Sequence, residues 1–256
     1  MKAADHEAAL NAFEARVADT GVKALVPLDE DRPFLDYVLS ALADAGATDI
    51  CLVIGPEHQL IRDRYSKVVP PLRFRIAFAV QERPRGTGDA VLAAEDFVLG
   101  QEFLTINSDN YYPVNALRTL VELGRPGAVL FTSAGLVERS NIEPERIRAF
   151  ALGRVGADGG LDELIEKPEA AVLAGLGPSP PVSMNCWRLP PSVFDACRRL
   201  VPSRRGELEL PDAIGLAIAA GVRFKVVTSD EGVLDLSRRA DIPAIKERLR
   251  GVVVKL

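Results

Sequence analysis

Short apolar runs alternate with segments of helical apolar spacing from residue 22 to about residue 133. That is the pattern of repeated strand–helix units around a mostly parallel sheet. Val22 to Leu28 reads as an extended segment, and Pro33 suits the first position of a helix through FLDYVLSALADAG that Gly46 ends. The pattern predicts strands over Ile50 to Ile54 and Phe74 to Val80, and helices over Glu57 to Tyr65 and Thr87 to Phe97. Phe103 to Asn107 is the next expected strand, Pro113 opens another helix, and Ala128 to Thr132 makes a further strand.

Beyond residue 133 the periodicity changes. Ile147 to Val155 and Leu161 to Ile165 flank GADGG, where Asp158-Gly159 is expected to supply the positive φ angles of a tight hairpin, an antiparallel addition to the sheet. Val182 to Leu189 reads as a strand, Pro190-Pro191 opens a helix, and residues 208 to 220 carry an apolar helical face. A strand at Phe224 to Thr228 and a helix from about Pro243 to Leu249 complete the pattern. There is no internal repeat, and GLGPSPP is the only linker-like stretch, so residues 1–256 read as one domain. Within it we expect an atypical amphipathic helix over 1–20, in which Leu10, Phe13 and Val17 share a face, followed by parts spanning 22–133 and 134–256.

Composition changes this picture little. The 256 residues are 48% hydrophobic with a net charge of -5, and Lys and Arg are scattered. This argues against a nucleic-acid-binding surface while leaving room for a local cationic site. Cys51, Cys186 and Cys197 lie far apart without metal-ligand spacing and read as small packed apolar groups. With no leader-like start and no run long enough to span a bilayer, a soluble cytoplasmic protein without membrane partners is expected.

In an open parallel sheet, ligands lie beyond the carboxyl ends of the strands, so polar groups directly after apolar runs are the candidates. FLTINSDN places Asp109 there and GVLDLSRR offers Asp235; two carboxylates from distant strands suit a phosphate-bound Mg²⁺. Taken alone, Asp109-Asn110 fits a turn cap better than a metal site. LIEKP ends another expected strand: Glu166 can accept from sugar hydroxyls and Lys167 can face a phosphate, or the pair is a solvated strand exit. In QERPRGTGDAV the glycines around Gly86 allow close backbone approach to a flat ligand, and the Gln81 amide can read a base edge.

In combination and order, these segments resemble the sugar-phosphate nucleotidyltransferases, the nucleotide-sugar pyrophosphorylases, from about Val22 to about Ile242. KALVPL with PFLDYVLSALADAG is similar to that family's Pro-Lys-Pro-Leu-Val-Pro segment and first long helix. QERPRGTGDAV resembles its base loop, SDN its metal aspartate, and IEKP its sugar-phosphate lysine. VSMNCW, SRRGELELPDAI and VLDLSRRADI resemble its sugar-site strand, Gly-Glu-Leu-Glu helix start and second metal aspartate. The resemblance implies an α/β, three-layer Rossmann-like nucleotidyltransferase fold, with a mostly parallel mixed sheet and helices on both faces. It implies Lys23 and Lys167 as catalytic cations on phosphates, Asp109 and Asp235 on Mg²⁺, Gln81 and Gly86 on the base, and Glu166, Asn185 and Glu207 near the sugar. The implied reaction condenses an NTP with a sugar 1-phosphate to an NDP-sugar and pyrophosphate, work that asks mainly for alignment and charge neutralisation.

Members of that family begin with an apolar strand that runs into a Gly-x-Gly-(Thr/Ser)-Arg loop, whereas MKAADHEAALNAFEARVADTGV precedes Lys23. Two expectations follow: the sheet lacks a central strand, leaving unpaired backbone groups and an apolar gap, and the chain starts late relative to a complete enzyme. The rival readings are a non-catalytic module of the same fold that binds a nucleotide sugar or sugar phosphate, and a glycosyltransferase using Ser108-Asp109-Asn110. Uracil or thymine suits the Gln81 amide, yet GTGDAV also resembles the loop of ATP-using members. The sugar and any homo-oligomer stay open.

Overall fold

The computed structural model describes residues 23–29, 32–166, 176, 179–203 and 205–256; the helix expected over 1–20 and Lys167 lie outside these. Lys23–Leu25 forms a 3-10 turn closed by Val26 N–H donating to the Lys23 carbonyl at 3.0 Å. Strand β1 (Pro27–Asp29) follows and pairs with β2 (Arg32–Pro33), so the extended segment expected from Val22 to Leu28 is a turn and then a strand. Pro33 caps helix α1 (Phe34–Asp44), which buries Phe34, Leu35, Val38, Leu39 and Leu42.

Strands β3 (Asp49–Ile54) and β4 (Arg75–Val80) run parallel. Between them, α2 (Gln59–Asp63) passes into a π-helical turn, Arg64–Val68, instead of the single helix expected over Glu57 to Tyr65. At that change of pitch Arg64 and Tyr65 reach back to the buried Asp36: Arg64 Nη2 donates at 2.5 Å and Tyr65 Oη at 2.8 Å. A buried carboxylate without such donors costs several kcal/mol, which favours the irregular turn that supplies them. The helix expected over Thr87 to Phe97 is likewise divided, into α3 (Thr87–Ala93) and α4 (Glu95–Val98).

Next come β5 (Phe103–Thr105), β6 (Asn110–Tyr111), α5 (Val114–Glu122), β7 (Gly127–Phe131) and α6 (Ser133–Arg139), the last capped by Thr132 Oγ1 accepting from Gly135 N–H. Pro144–Ala149 is a 3-10 helix, so the strand expected from Ile147 begins only at Ala151, as β8 (Ala151–Val155). It pairs antiparallel with β9 (Leu161–Ile165) as expected. In the connecting turn only Gly159 takes a positive φ, 75°, while Asp158 instead accepts the Gly160 N–H at 2.9 Å through its side chain. The chain continues through β10 (Val182–Leu189), α7 (Val193–Arg198), α8 (Leu210–Ala219), β11 (Lys225–Ser229), β12 (Leu234–Asp235) and α9 (Ile242–Arg248).

The main sheet is mixed and six-stranded, in order β11-β7-β10-β8-β9 with β5 also on β10. Strand β11 runs parallel to β7, whereas β10 runs antiparallel to β5, β7 and β8. Every residue of β7 is buried, which requires cover on both faces of the sheet. One apolar cluster lies under α1, α5 and α9, the other under α3, α7 and α8. Trp187, whose ring meets Phe224 edge-on at 5.9 Å, belongs wholly to the second.

The pair β3–β4 does not join this sheet. Between β3 and β5 runs a cavity of about 1280 Å³, lined by Ile50, Leu52 and Leu104, and by Leu35 and Leu39 of α1 on one side and Val91 and Phe97 on the other. The facing edges of β3 and β5 have no strand partner among the described residues. Among the described residues this cavity stands where the sequence led us to expect an apolar gap, and Lys23 and Asp109 also line it.

Candidate active site

The candidate site is built where β5 runs out. After Thr105 the chain turns back to β6, and Tyr112 anchors the turn: its hydroxyl donates to the Met184 carbonyl at 2.5 Å and accepts from Asn107 N–H at 3.3 Å. Strand β6 then pairs antiparallel with β12, placing Asp235 opposite Asn110. Leu236 N–H donates to the Asp109 carbonyl at 2.8 Å. Two aspartates distant in sequence therefore stand side by side, with Lys23 close enough for its charge to act on both.

Burial, first, raises the pKa of the Asp109 carboxyl, and the neighbouring Asp235 raises it further against the opposing field of Lys23. Burial likewise raises that of Asp235, opposed by the Ser237 hydroxyl and by Arg146. Apart from the residue's own main chain, no donor is bound to the Asp109 carboxylate among the described residues. The Asp235 main chain is held by Asn141, whose amide donates to its carbonyl and accepts from its N–H, both at 2.8 Å. Arg146 grips the Asp235 carboxylate with one nitrogen and Asp241 with the other, the latter at 3.1 Å.

A second group forms around the glycine loop. Gln81 Nε2 donates to the Gly86 carbonyl at 3.0 Å and to Asp89 Oδ2 at 2.8 Å, and Arg85 closes on the other Asp89 oxygen at 2.5 Å. Gly86 has a φ of 118°, and a Cβ there would lie 2.5 Å from the Leu208 carbonyl oxygen. The close approach that needs this glycine is therefore to the chain itself. Gly88 N–H donates to the Leu208 carbonyl at 2.8 Å and Leu208 N–H to Arg85 at 2.6 Å, stapling the loop to the GELEL segment.

That segment carries the third group. Arg205 Nη2 lies 2.7 Å from Glu209 and 3.8 Å from both Glu166 and Glu207, so these carboxylates converge on one guanidinium. Asn185 sits at a bulge of β10 with φ 55°, a left-handed conformation that Asn tolerates better than most residues. Its amide points to Asn107, at 3.5 Å, in the loop that leads to Asp109.

The structure thus unites Lys23, Asp109 and Asp235, joins Gln81 and Gly86 in one loop, and brings Glu166 and Glu207 to a common partner; Lys167 is outside the described residues. Sequence reasoning missed Asp89, Asn141, Arg146 and Asp241. Nothing in NIEPER marks Arg146, because the 3-10 helix that presents it meets Asp235 only through tertiary packing.

The sequence matches the model of the nucleotidyl transferase family over residues 17–236. It is 28% identical to UTP--glucose-1-phosphate uridylyltransferase AglF of Haloferax volcanii, over 89% of this chain and 88% of that one. It is 32% identical to the low-salt glycan biosynthesis nucleotidyltransferase Agl11 of the same organism, over 77% of this chain but only 52% of the relative, about half its length. Identity to glucose-1-phosphate thymidylyltransferase of Streptomyces griseus is 29%, over 83% of this chain and 56% of that one. In fold, a UDP-glucose pyrophosphorylase solved with UDP-glucose superposes with a TM-score of 0.72 at 15% identity, covering 93% of this chain and 95% of the other. With most of its length matched by the family's pattern, and with that family's fold, the chain belongs to the nucleotidyl transferases.

Proposed function

We propose that this chain condenses an NTP with a sugar 1-phosphate, giving an NDP-sugar and pyrophosphate. A sugar-phosphate oxygen forms a bond to the α-phosphorus as the bond from that phosphorus to the pyrophosphate oxygen breaks. The observation that carries the reading is the meeting of Asp109 and Asp235 beside Lys23, with Asp109 and Lys23 lining the cavity.

These residues fit a divalent metal. Two carboxylates supply hard oxygen donors, one of them without a side-chain partner among the described residues, and burial of both favours a nearby cation. Mg²⁺ held by Asp109 and Asp235 would neutralise phosphate charge and orient the phosphates in line. Lys23 adds a point charge to the same region, and Lys167, by the family resemblance, would meet the sugar phosphate. Glu166, Asn185 and Glu207 would face the sugar.

The loop around Gln81 and Gly86 would take the base. Both amide hydrogens of Gln81 point at acceptors, the Gly86 carbonyl and Asp89 Oδ2, and no donor is bound to its Oε1 among the described residues. Such an acceptor matches the N3–H of uracil or thymine and opposes the bare N3 of cytosine, which favours uridine or thymidine triphosphate over cytidine triphosphate. This agrees with the uridylyl and thymidylyl transferases among the relatives. None of the described helices is long and apolar enough to cross a membrane, and we assign the protein to the cytoplasm, where NTPs are made.

The test is pyrophosphate release with Mg²⁺, each of five NTPs and a panel of hexose 1-phosphates. Release with UTP or dTTP that disappears in Asp109→Ala supports the reading. Binding of an NDP-sugar without any release would replace it with a non-catalytic module.

A further inference from the structure

Arg146 is not part of any motif that the family resemblance covers, yet it is the residue most intimately bound to a proposed metal carboxylate. Its side chain is 16% exposed and spans Asp235 and Asp241, each 4% exposed. Asp235 Oδ2 accepts from both Arg146 and, at 2.8 Å, the Ser237 hydroxyl, while Oδ1 has only a long 3.4 Å contact from Asn110. Among the described residues one oxygen is thus taken and the other carries only that long contact.

Two roles are conceivable for such an arginine: holding Asp235 in place, or neutralising it. The geometry separates them. Asp235 is already held without Arg146, by pairing across to Asn110, by both main-chain bonds to Asn141 and by Ser237. Asp241 is fixed independently, accepting the Arg238 N–H at 2.7 Å and lying 3.5 Å from the Arg238 guanidinium. Arg146 therefore adds little order and much charge. Lys23, Arg146 and Arg238 stand against Asp109, Asp235 and Asp241, with the exposed Glu143 3.8 Å from Arg238, so cations already offset most of the carboxylate charge before any metal is counted. Arg146 also keeps a partner if Asp235 lets go, because its second nitrogen stays on Asp241.

We infer that Arg146 is a built-in counter-ion of Asp235 that holds the site back from a bare divalent cation, so that the metal is taken up together with the phosphates of a nucleotide. The inference rests on Asp109 and Asp235 being the metal ligands. An unfavourable charge a few ångströms from the cation in a partly buried site is worth more than the 1.4 kcal/mol of a tenfold change in affinity. Lysine in place of arginine loses the planar fork but keeps the charge, so it should leave binding of the bare cation near that of the unmodified protein.

The experiment titrates Mn²⁺ alone, without nucleotide, into the full chain and counts free Mn²⁺ by its electron paramagnetic resonance signal. Arg146→Gln should bind Mn²⁺ about tenfold or more tightly than the unmodified protein, and Asp235→Asn added to it should abolish the gain. Equal or weaker binding by R146Q, with thermal melting showing it folded, overturns the inference and makes Arg146 a structural clamp. If R146Q does not fold, Arg146→Met, which keeps side-chain length without the charge, carries the test: a gain of about tenfold supports the counter-ion, and no gain overturns it. Mn²⁺ binding insensitive to both Asp109→Asn and Asp235→Asn would show instead that the metal-ligand reading is at fault, and the inference falls with it.

Discussion

Asp235 lies directly across the β6–β12 pairing from Asn110, and the Asp109 carbonyl accepts the N–H of Leu236 at 2.8 Å. Main-chain hydrogen bonds, rather than side-chain choice, thus bring the two aspartates together. Whatever perturbs this short ladder should disturb the proposed chemistry without unfolding the molecule.

Asn141 is the most direct way to perturb it, because it holds the Asp235 main chain from both sides at 2.8 Å. Asn141→Ala should lower kcat by about 10–100-fold, the usual cost of losing a partner that orients a metal ligand. The Mg²⁺ concentration needed for half-maximal rate should rise, while KM for the sugar phosphate stays within a few fold. A KM effect without a change in Mg²⁺ dependence would contradict this.

Asp89 orients the Gln81 amide by taking one of its hydrogens at 2.8 Å. In Asp89→Asn the replacement can donate to Gln81 as well as accept from it, so the outward atom is no longer dictated. Preference for UTP or dTTP over CTP should fall about tenfold, the scale of one hydrogen-bonded discrimination. Competition assays with paired nucleotides read this ratio directly.

Gly86→Ala joins two penalties, a φ of 118° that L-residues avoid and a Cβ only 2.5 Å from the Leu208 carbonyl oxygen. A loss of about 2 kcal/mol or more is expected in urea denaturation. Since backbone cannot give way as a flexible side-chain tip can, Gly88→Ala should cost less: its closest obstacle is the Leu200 Cδ1 methyl, at 2.4 Å.

Tyr65 and Tyr112 predict the alkaline limit. Burial, above all, raises both hydroxyls well above their ordinary value of 10.0. A raised folded-state pKa means that their stabilisation is complete below about pH 10 and is lost as pH climbs from there toward the folded values. Melting temperature should therefore decline above about pH 10, and Tyr112→Phe, although less stable at neutral pH by about 1 kcal/mol for its lost bond to Met184, should show a shallower decline.

The thiols offer a check of the fold itself. Burial, first, pushes Cys197 up to about 12 and raises Cys186 and Cys51 as well, but Cys51 alone is not fully buried and lines the cavity. Because the thiolate is the reactive form, a disulfide reagent at neutral pH should label Cys51 slowly and leave the other two untouched until denaturant is added. Fast reaction of Cys197 in the native protein would argue against the packing of α7.

Much of this was readable from the chain by itself. Periodicity located β3, β4, β7 and β10, because a strand buried on both faces, such as GAVLF, leaves an unbroken apolar run that few other structures need. The order of weak motifs pointed to the family, and the lack of an apolar run before Lys23 foretold the gap beside β3. Other features were settled only in three dimensions. The π turn at Arg64 and the late start of β8 depend on distant partners and on a local turn that override local propensity. Sequence order cannot show that Gln81 is turned by Asp89, that Arg205 gathers three glutamates, or that Arg146 lies on Asp235. Local spacing determines which residues form an element and which face they share; which charges meet, and hence which acids are free for a metal, is decided by contacts between segments that the chain keeps far apart.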